Sequence, residues 1–251
     1  MDVWTALGLA AAAFAAGAIN AVAGGGSLVS FPALVAAGYG SKAANVTNTV
    51  ALWPGYVGGS IGYRSELRRQ RRTVVALSFP SILGAIAGSA ILLATPTEAF
   101  DVIVPFLILA ACLLMAVQDR LARWAAGNSL GVGGVSAAVI AATFLLAIYG
   151  AYFGAGLGIM LLAALGILMP DDPQHSNALK GMLSLIINAA AVVCFAAFGP
   201  VRWEPAAVMA VGAIAGGYLG VGVARRLGKR WLRVAVITYG LISAAVLFVR
   251  L

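Results

Sequence analysis

Three consecutive glycines, a serine and a proline interrupt an apolar run at AVAGGGSLVSFP, residues 21–32. Such a stretch offers a solute main-chain N–H groups. A helix restarting at about Ser27, after Gly24, Gly25 and Gly26, exposes its first-turn donors. Its N-terminus also carries roughly half a unit of positive charge, and anions bind readily at such helix starts. A second cluster, Gly154, Gly156 and Gly158 in YGAYFGAGLG, provides a mirror-image start. Polar side chains gather near both. NVTNT (45–49) supplies Asn45, Thr47 and Asn48, and NALK (177–180) supplies Asn177 and Lys180. Asn188 lies two turns beyond Lys180, and Asn20 one turn before the glycine run. Lys180 is the only base clearly inside an apolar span, where it can neutralise a bound anion. The plainer alternatives are glycines that only let helices pack closely, a lysine that snorkels to the interface and asparagines that only bond structure.

Other chemistries lack their residues. All eight acids, Asp2, Glu66, Glu98, Asp101, Asp119, Asp171, Asp172 and Glu204, fall in loops or at span ends. A carrier of metal cations, or a carboxylate proton relay, needs such groups buried, so no metal site and no cofactor are expected. The single histidine, His175, sits in MPDDPQHSN and reads as a loop residue. One histidine and no acid near Ser27 leave no hydrolytic triad. Cys112 and Cys194 lie in apolar stretches and read as small core residues.

The elements that position these groups are membrane spans. Of 251 residues, 62% are hydrophobic and 10% charged, with a mean hydropathy of +1.00. A soluble domain is about 25% charged, so this is an all-α polytopic membrane protein in contact with the lipid bilayer. The start, MDVWTALGLAAAAFAAG, has no basic n-region and reads as a mature span rather than a signal peptide. The net charge of +8 does not point to nucleic acid, because the bases occupy short runs between apolar segments. The apolar segments are 3–38, 43–62, 74–94, 101–117, 130–168, 178–198, 205–223 and 234–250.

RSELRRQRR (64–72), QDRLAR (118–123) and RRLGKRWLR (225–233) belong on the cytoplasmic side, and the acidic TPTEAFD (95–101) outside. With those loops placed, 130–168 must cross an even number of times. Its central glycines suit a hairpin or re-entrant pair, and 3–38 does the same from the outer side. Both termini then lie outside a bacterial-type inner membrane. Each half reads as one glycine-broken segment plus three spans, in opposite orientation: residues 1–124 form a first repeat and 125–251 a second, inverted one. GAIAG recurs at 84–88 and 212–216, Gly26 and Gly38 match Gly154 and Gly166 in spacing, and Asn45 and Asn177 each open a span. In that register Lys180 corresponds to Asn48. Small-xxx-small patterns at Gly58/Gly62, Gly84/Gly88 and Gly212/Gly216/Gly220 predict close helix contacts, and glycine and alanine surfaces could support a homodimer.

AGGGSLVSFPALVAAG followed by AANVTNTVALWPGYVGG, then YGAYFGAGLGIMLLAALG followed by HSNALKGMLSLIIN, resembles the TauE/SafE family of sulfite exporters and related anion permeases across nearly the whole chain. The resemblance implies a transporter of small sulfur-containing anions (sulfite, thiosulfate, sulfonates or sulfoacetate) with its site between inverted halves. The residues that match the family's motifs are Gly24, Gly25, Gly26, Pro32, Asn45, Thr47, Asn48, Gly154, Gly156, Gly158, Asn177 and Lys180. The second half departs from the pattern, with GAGLG for GGG and Met160 where the first has proline. The expected activity is export by alternating access, not catalysis. A permease for carboxylates or other organic anions, a passive anion channel and a non-transporting membrane subunit are the rivals.

Overall fold

The computed structural model describes residues 1–22, 24–127, 135–169, 171–227 and 229–249. Among them the fold is all helix: α1 (Val3–Val22), α2 (Ser27–Ala36), α3 (Ser41–Gly62), α4 (Arg64–Arg69), α5 (Arg71–Ala94), α6 (Thr97–Gly127), α7 (Ala137–Tyr152), α8 (Leu157–Leu168), α9 (Pro173–Phe198), α10 (Trp203–Leu227) and α11 (Lys229–Val249). Four stretches, Val3–Ala21, Arg71–Ala94, Thr97–Ala125 and Gln174–Phe198, are long and apolar enough to cross a membrane. Large apolar side chains such as Leu7, Phe79, Phe106, Leu113 and Tyr218 point outward, the distribution of a protein whose solvent is lipid rather than water. Exposed Trp4 and Trp203 near one end and Trp124 near the other suit the two interfacial belts where indole rings settle. The protein is a polytopic membrane protein.

Both long segments are broken where their glycines lie. α1 gives way at Gly24 and Gly25, whose φ angles are +77° and +89°, a conformation that a side chain disfavours by about 1–2 kcal/mol. α2 then begins at Ser27 and returns toward its origin, so that the Tyr39 hydroxyl reaches the Met1 sulfur at 4.0 Å. In the second segment, α8 starts after Gly156 (φ +80°) and comes back to α6, where a methyl group on Gly166 would lie 3.3 Å from Ala125 Cβ. The start of segment 130–168 lies outside the described residues.

Hydrogen bonds sort the connections onto two faces. Lys42 donates to the Leu93 and Thr95 carbonyls, the Arg202 N–H donates to Thr47 Oγ1, and the terminal ammonium pairs with Glu204 at 3.0 Å. On the opposite face Asn177 donates to the Tyr63 hydroxyl, Gln70 to the His175 carbonyl, and Arg233 forms a two-armed pair with Asp119. We call this second side the arginine face.

Three basic stretches differ from the sequence expectation. RRLGKRWLR (225–233) is mostly helical, since α10 runs to Leu227 and α11 starts at Lys229. The basic stretch 64–72 is not a plain loop, because Arg64–Arg69 winds into α4. α6 runs on through QDRLAR to Gly127. Good helix formers continue it past the hydrocarbon edge; its 31 residues extend about 46 Å against a core of about 30 Å.

Glycines set the tightest crossings. The main helix pairs are α1 with α10, α5 with α7, α3 with α10, α5 with α9, α6 with α11 and α3 with α9. Gly212 and Gly216 face the carbonyls of Ala10 and Phe14, and Gly84 and Gly88 face those of Phe144 and Ile148. A β-carbon at any of the four would collide with backbone. The side-chain surroundings of Gly58, Gly62, Gly220 and most of 225–233 lie outside the described residues. Phe31 of α2 meets Phe153 of the second break edge-on, ring centroids 5.7 Å apart, which ties the two broken segments together.

Candidate functional site

The two breaks meet. A β-carbon on Gly24 would sit 3.7 Å from Gly158 Cα and 3.8 Å from the Ile159 nitrogen. One on Gly158 would sit 3.5 Å from Lys180 Cδ. Around this junction lies a cavity of roughly 730 Å³, including its open mouth, bounded by α1, α3, α9 and both breaks. Leu52, Gly55 and Tyr56 line it from one face of α3, as the i, i+3, i+4 spacing requires. Asn177, Lys180, Gly181 and Ser184 do so from one face of α9. Tyr63, just past the end of α3, and Asn177, in the first turns of α9, lie at the end nearer the arginine face, where the Asn177 amide donates to the Tyr63 hydroxyl at 2.8 Å. Leu52 and Ser184 lie at the other end. From Tyr63 to Leu52 the wall extends about 16 Å at 1.5 Å per residue, half the hydrocarbon thickness.

The chemistry of the lining is donor-rich and lacks carboxylates. Lys180 is 8% exposed, and no carboxylate pairs with it among the described residues. An isolated ammonium out of water costs several kcal/mol unless an opposite charge joins it. Its aliphatic stem lies along Gly158, where an added β-carbon would touch Lys180 Cδ at 3.5 Å, an ordinary van der Waals contact. At the α8 start, the Leu157, Ile159 and Met160 N–H groups turn back to the Gly154 and Gly156 carbonyls, whereas that of Gly158 finds no acceptor among the described residues. At the α2 start, the Gly26 N–H donates to Asn20 Oδ1 at 2.7 Å. That bond fixes the Asn20 amide with its oxygen on the backbone and leaves its NH₂ for the cavity that Asn20 lines.

Of the residues singled out from sequence, Asn20, Gly24, Gly25, Gly154, Gly158, Asn177 and Lys180 line this one cavity. Gly26 and Ser27 lie behind it; a β-carbon on Gly26 would meet the Ala16 carbonyl. Gly156 packs toward Ala111 and Leu114. Asn45, Thr47 and Asn48 occupy the other end of α3, toward the face opposite the arginines. Asn45 donates to the Tyr152 carbonyl at 2.9 Å and Thr47 accepts from Arg202 N–H at 3.0 Å. Asn188 donates to the Ser184 carbonyl one turn back. Gly17, Gly55, Tyr56, Tyr63, Gly181 and Ser184 line the cavity without having been singled out. Ser184 was within reach of the sequence, since it falls four residues beyond Lys180 and seven beyond Asn177, on one helical face.

No group of three or more histidine, cysteine or acidic side chains able to hold a metal occurs among the described residues.

Comparison with known proteins places these features. The model of the sulfite exporter TauE/SafE family matches residues 9–247. The chain is 27% identical over 236 residues to a probable membrane transporter protein of Haemophilus influenzae, covering 92% of this chain and 90% of that one. It is 26% identical to the probable membrane transporter protein ORF9 of a Sinorhizobium species, over 88% and 84% of the two chains. It is likewise 26% identical to the probable membrane transporter protein YfcA of Escherichia coli, over 94% and 87%. No solved structure matches it. With the family match extending over nearly every helix that builds the cavity, the chain belongs to the TauE/SafE family of membrane transporters.

Proposed function

We propose that this transporter moves a small sulfur-containing anion, sulfite (singly charged as hydrogensulfite) or a sulfonate-like relative, outward through the cavity between its two broken segments. The observation that carries the proposal is Lys180: a buried ammonium without a protein counter-charge among the described residues, where the two broken segments meet. The anion pairs with Lys180 Nζ and takes further hydrogen bonds from the Gly158 N–H, the Asn20 amide, Asn177 and Ser184. These donors are neutral, so they discriminate by shape and hydrogen bonding while the lysine supplies charge balance. The family's printed description, sulfite exporter, agrees with that chemistry.

Alternating access between inverted repeats is the proposed mechanism. Exchanging α1 with α7, α2 with α8, α3 with α9, α5 with α10 and α6 with α11 carries the main helix pairs into one another. The α1–α10 pair becomes α7–α5, α3–α10 becomes α9–α5, and α6–α8 becomes α11–α2. The two GAIAG runs then serve the same crossing, one against α7 and the other against α1. What supports alternation is that equivalent positions differ. Asn177 and Lys180 line an open cavity, while their counterparts Asn45 and Asn48 are packed away at 1% and 2% exposure. In this reading the cavity loads from the arginine face, taken as cytoplasmic. With the cell interior negative, export of a monoanion gains about 2.3 kcal/mol per 100 mV.

The test is flux in proteoliposomes with radiolabelled sulfite. Saturable uptake, accelerated by sulfite on the far side, supports a carrier; linear, unaccelerated flux indicates a channel. Competition by acetate or lactate as strong as that by unlabelled sulfite indicates a carboxylate permease instead.

A further inference from the structure

The face opposite the arginines carries an opening that shares no lining residue with the anion cavity. The turn from α2 into α3, Gly38 to Ser41, lines it together with Asp101 of α6. It measures roughly 690 Å³ with its mouth, and a β-carbon on Gly38 or Gly40 would meet nothing within 4 Å. Two polar side chains in it lack partners. Ser41 is 8% exposed and its hydroxyl has no hydrogen bond among the described residues. Asp101 Oδ1 is buried and accepts none either, and no cation pairs with the Asp101 carboxylate among the described residues. Lys42, next to Ser41, is turned onto the Leu93 and Thr95 carbonyls. The N–H groups of Ser41, Lys42 and Ala43, the first turn of α3, meet no acceptor among the described residues.

A helix start that favours an anion and a carboxylate that favours a cation therefore share one opening. An inorganic ion answers one of them, and a zwitterion answers both. Val35 and Leu247 line this opening and also a second hollow, between α2 and α11. The wall of that hollow is mainly apolar, with Pro32 and Val35 on one side and Tyr239, Ile242 and Val246 on the other. Ile242 and Val246 are 58% and 46% exposed, so the hollow faces lipid. From Leu247 to Tyr239 it runs about 12 Å at 1.5 Å per residue, within the roughly 15 Å of hydrocarbon in one leaflet. A polar opening at the membrane edge, continued by an apolar groove toward the membrane centre, has the shape of a phospholipid.

We propose that this site holds one zwitterionic phospholipid with a primary ammonium head, a phosphatidylethanolamine. Its phosphate accepts from the Ser41 hydroxyl and the first-turn N–H groups of α3. Its ammonium donates charge-assisted hydrogen bonds to Asp101, and one acyl chain lies between α2 and α11. A choline head has no N–H to donate, and a glycerol head brings no positive charge to the carboxylate. The anion reading does not depend on this site.

Native mass spectrometry of the delipidated, purified full-length protein tests it, with an equimolar mixture of phosphatidylethanolamine, its N-monomethyl and N-dimethyl forms, phosphatidylcholine and phosphatidylglycerol. One phosphatidylethanolamine per chain is expected, retained at least fivefold over the choline and glycerol lipids and falling stepwise with methylation. Asp101→Asn should reduce the preference over phosphatidylcholine to below twofold, and Lys180→Met should keep it. Equal retention of the three natural heads, or an undiminished preference in Asp101→Asn, overturns the proposal. Should Asp101→Asn fail to fold, the methylation series on the wild type decides, and retention that does not decline along it overturns the site. Displacement of the lipid by soluble phosphoethanolamine at equal concentration, or a lipid-free dimer of the chain, overturns it as well. Sulfite binding that survives where no lipid is retained refutes this inference alone.

Discussion

Replacing Lys180 by methionine removes the charge and keeps the stem. The linear apolar side chain still fits against Gly158, where a β-carbon would approach the lysine stem at 3.5 Å, so packing changes little. Affinity should change much more. At 4 Å, a unit pair at an effective dielectric of 20 gains about 4 kcal/mol, and desolvation of the anion takes back part of it. A hydrogen bond to a charged group nets about 1.5–3 kcal/mol. At 1.4 kcal/mol per decade, the dissociation constant should rise roughly 10- to 150-fold. Stability should not fall, since the variant no longer buries a charge that is unpaired when the cavity is empty. The assay is titration of purified wild type and Lys180→Met with sulfite, followed by intrinsic fluorescence, alongside thermal unfolding of both. Wild-type affinity in a folded Lys180→Met protein would refute the reasoning, because the ammonium would then be a passive lining group.

Other outcomes follow from the same geometry. Asn20→Ala removes the acceptor for the Gly26 N–H and should lower stability by about 1 kcal/mol, as losing a helix cap does; it should also weaken sulfite binding, whereas a purely structural Asn20 would affect only the melting curve. Gly216→Val drives a side chain into the Phe14 carbonyl and should cost about 1–3 kcal/mol or more by overpacking, read as a lower melting temperature with the α1–α10 contact loosened. In a background with Cys112 and Cys194 replaced, Asn177→Cys and Gly181→Cys should react with a membrane-impermeant thiol reagent applied to the arginine face, and sulfite should protect Gly181→Cys; Thr47→Cys, beside Arg202, should not react from that face. Equal labelling of all three would contradict a cavity open to one side.

Much of this architecture is legible in the residues because lipid simplifies the problem. A backbone that must satisfy itself forms helices, and the places where it cannot are marked by glycine. The α2 start at about Ser27 and a second start within the Gly154–Gly158 cluster could therefore be located from composition alone. The arginine runs sorted the connections because arginine is confined to the ends of spans. What was not legible is which polar groups converge. Tyr56, Tyr63, Gly17 and Gly55 come from two helices whose relative rotation depends on crossings such as Gly55 with Ala213, and a local pattern does not carry that information. Asn45 and Thr47 resemble Asn177 in sequence setting, yet their partners, Tyr152 and Arg202, are 107 and 155 residues away. The α4 helix was missed because its six residues are short and dominated by charge. The Asn20–Gly26 bond depends on the left-handed turn at Gly24 and Gly25, which only the folded chain displays.

The proposed site holds an anion between Gly24, Gly158 and Lys180. Selenite, the heavier analogue of sulfite, makes that position directly visible by anomalous scattering from crystals of the wild-type protein. The account requires a selenium peak within hydrogen-bonding reach of Lys180 Nζ, lost in Lys180→Met crystals. An unoccupied cavity at saturating selenite, or a peak on another surface with the cavity vacant, would contradict it.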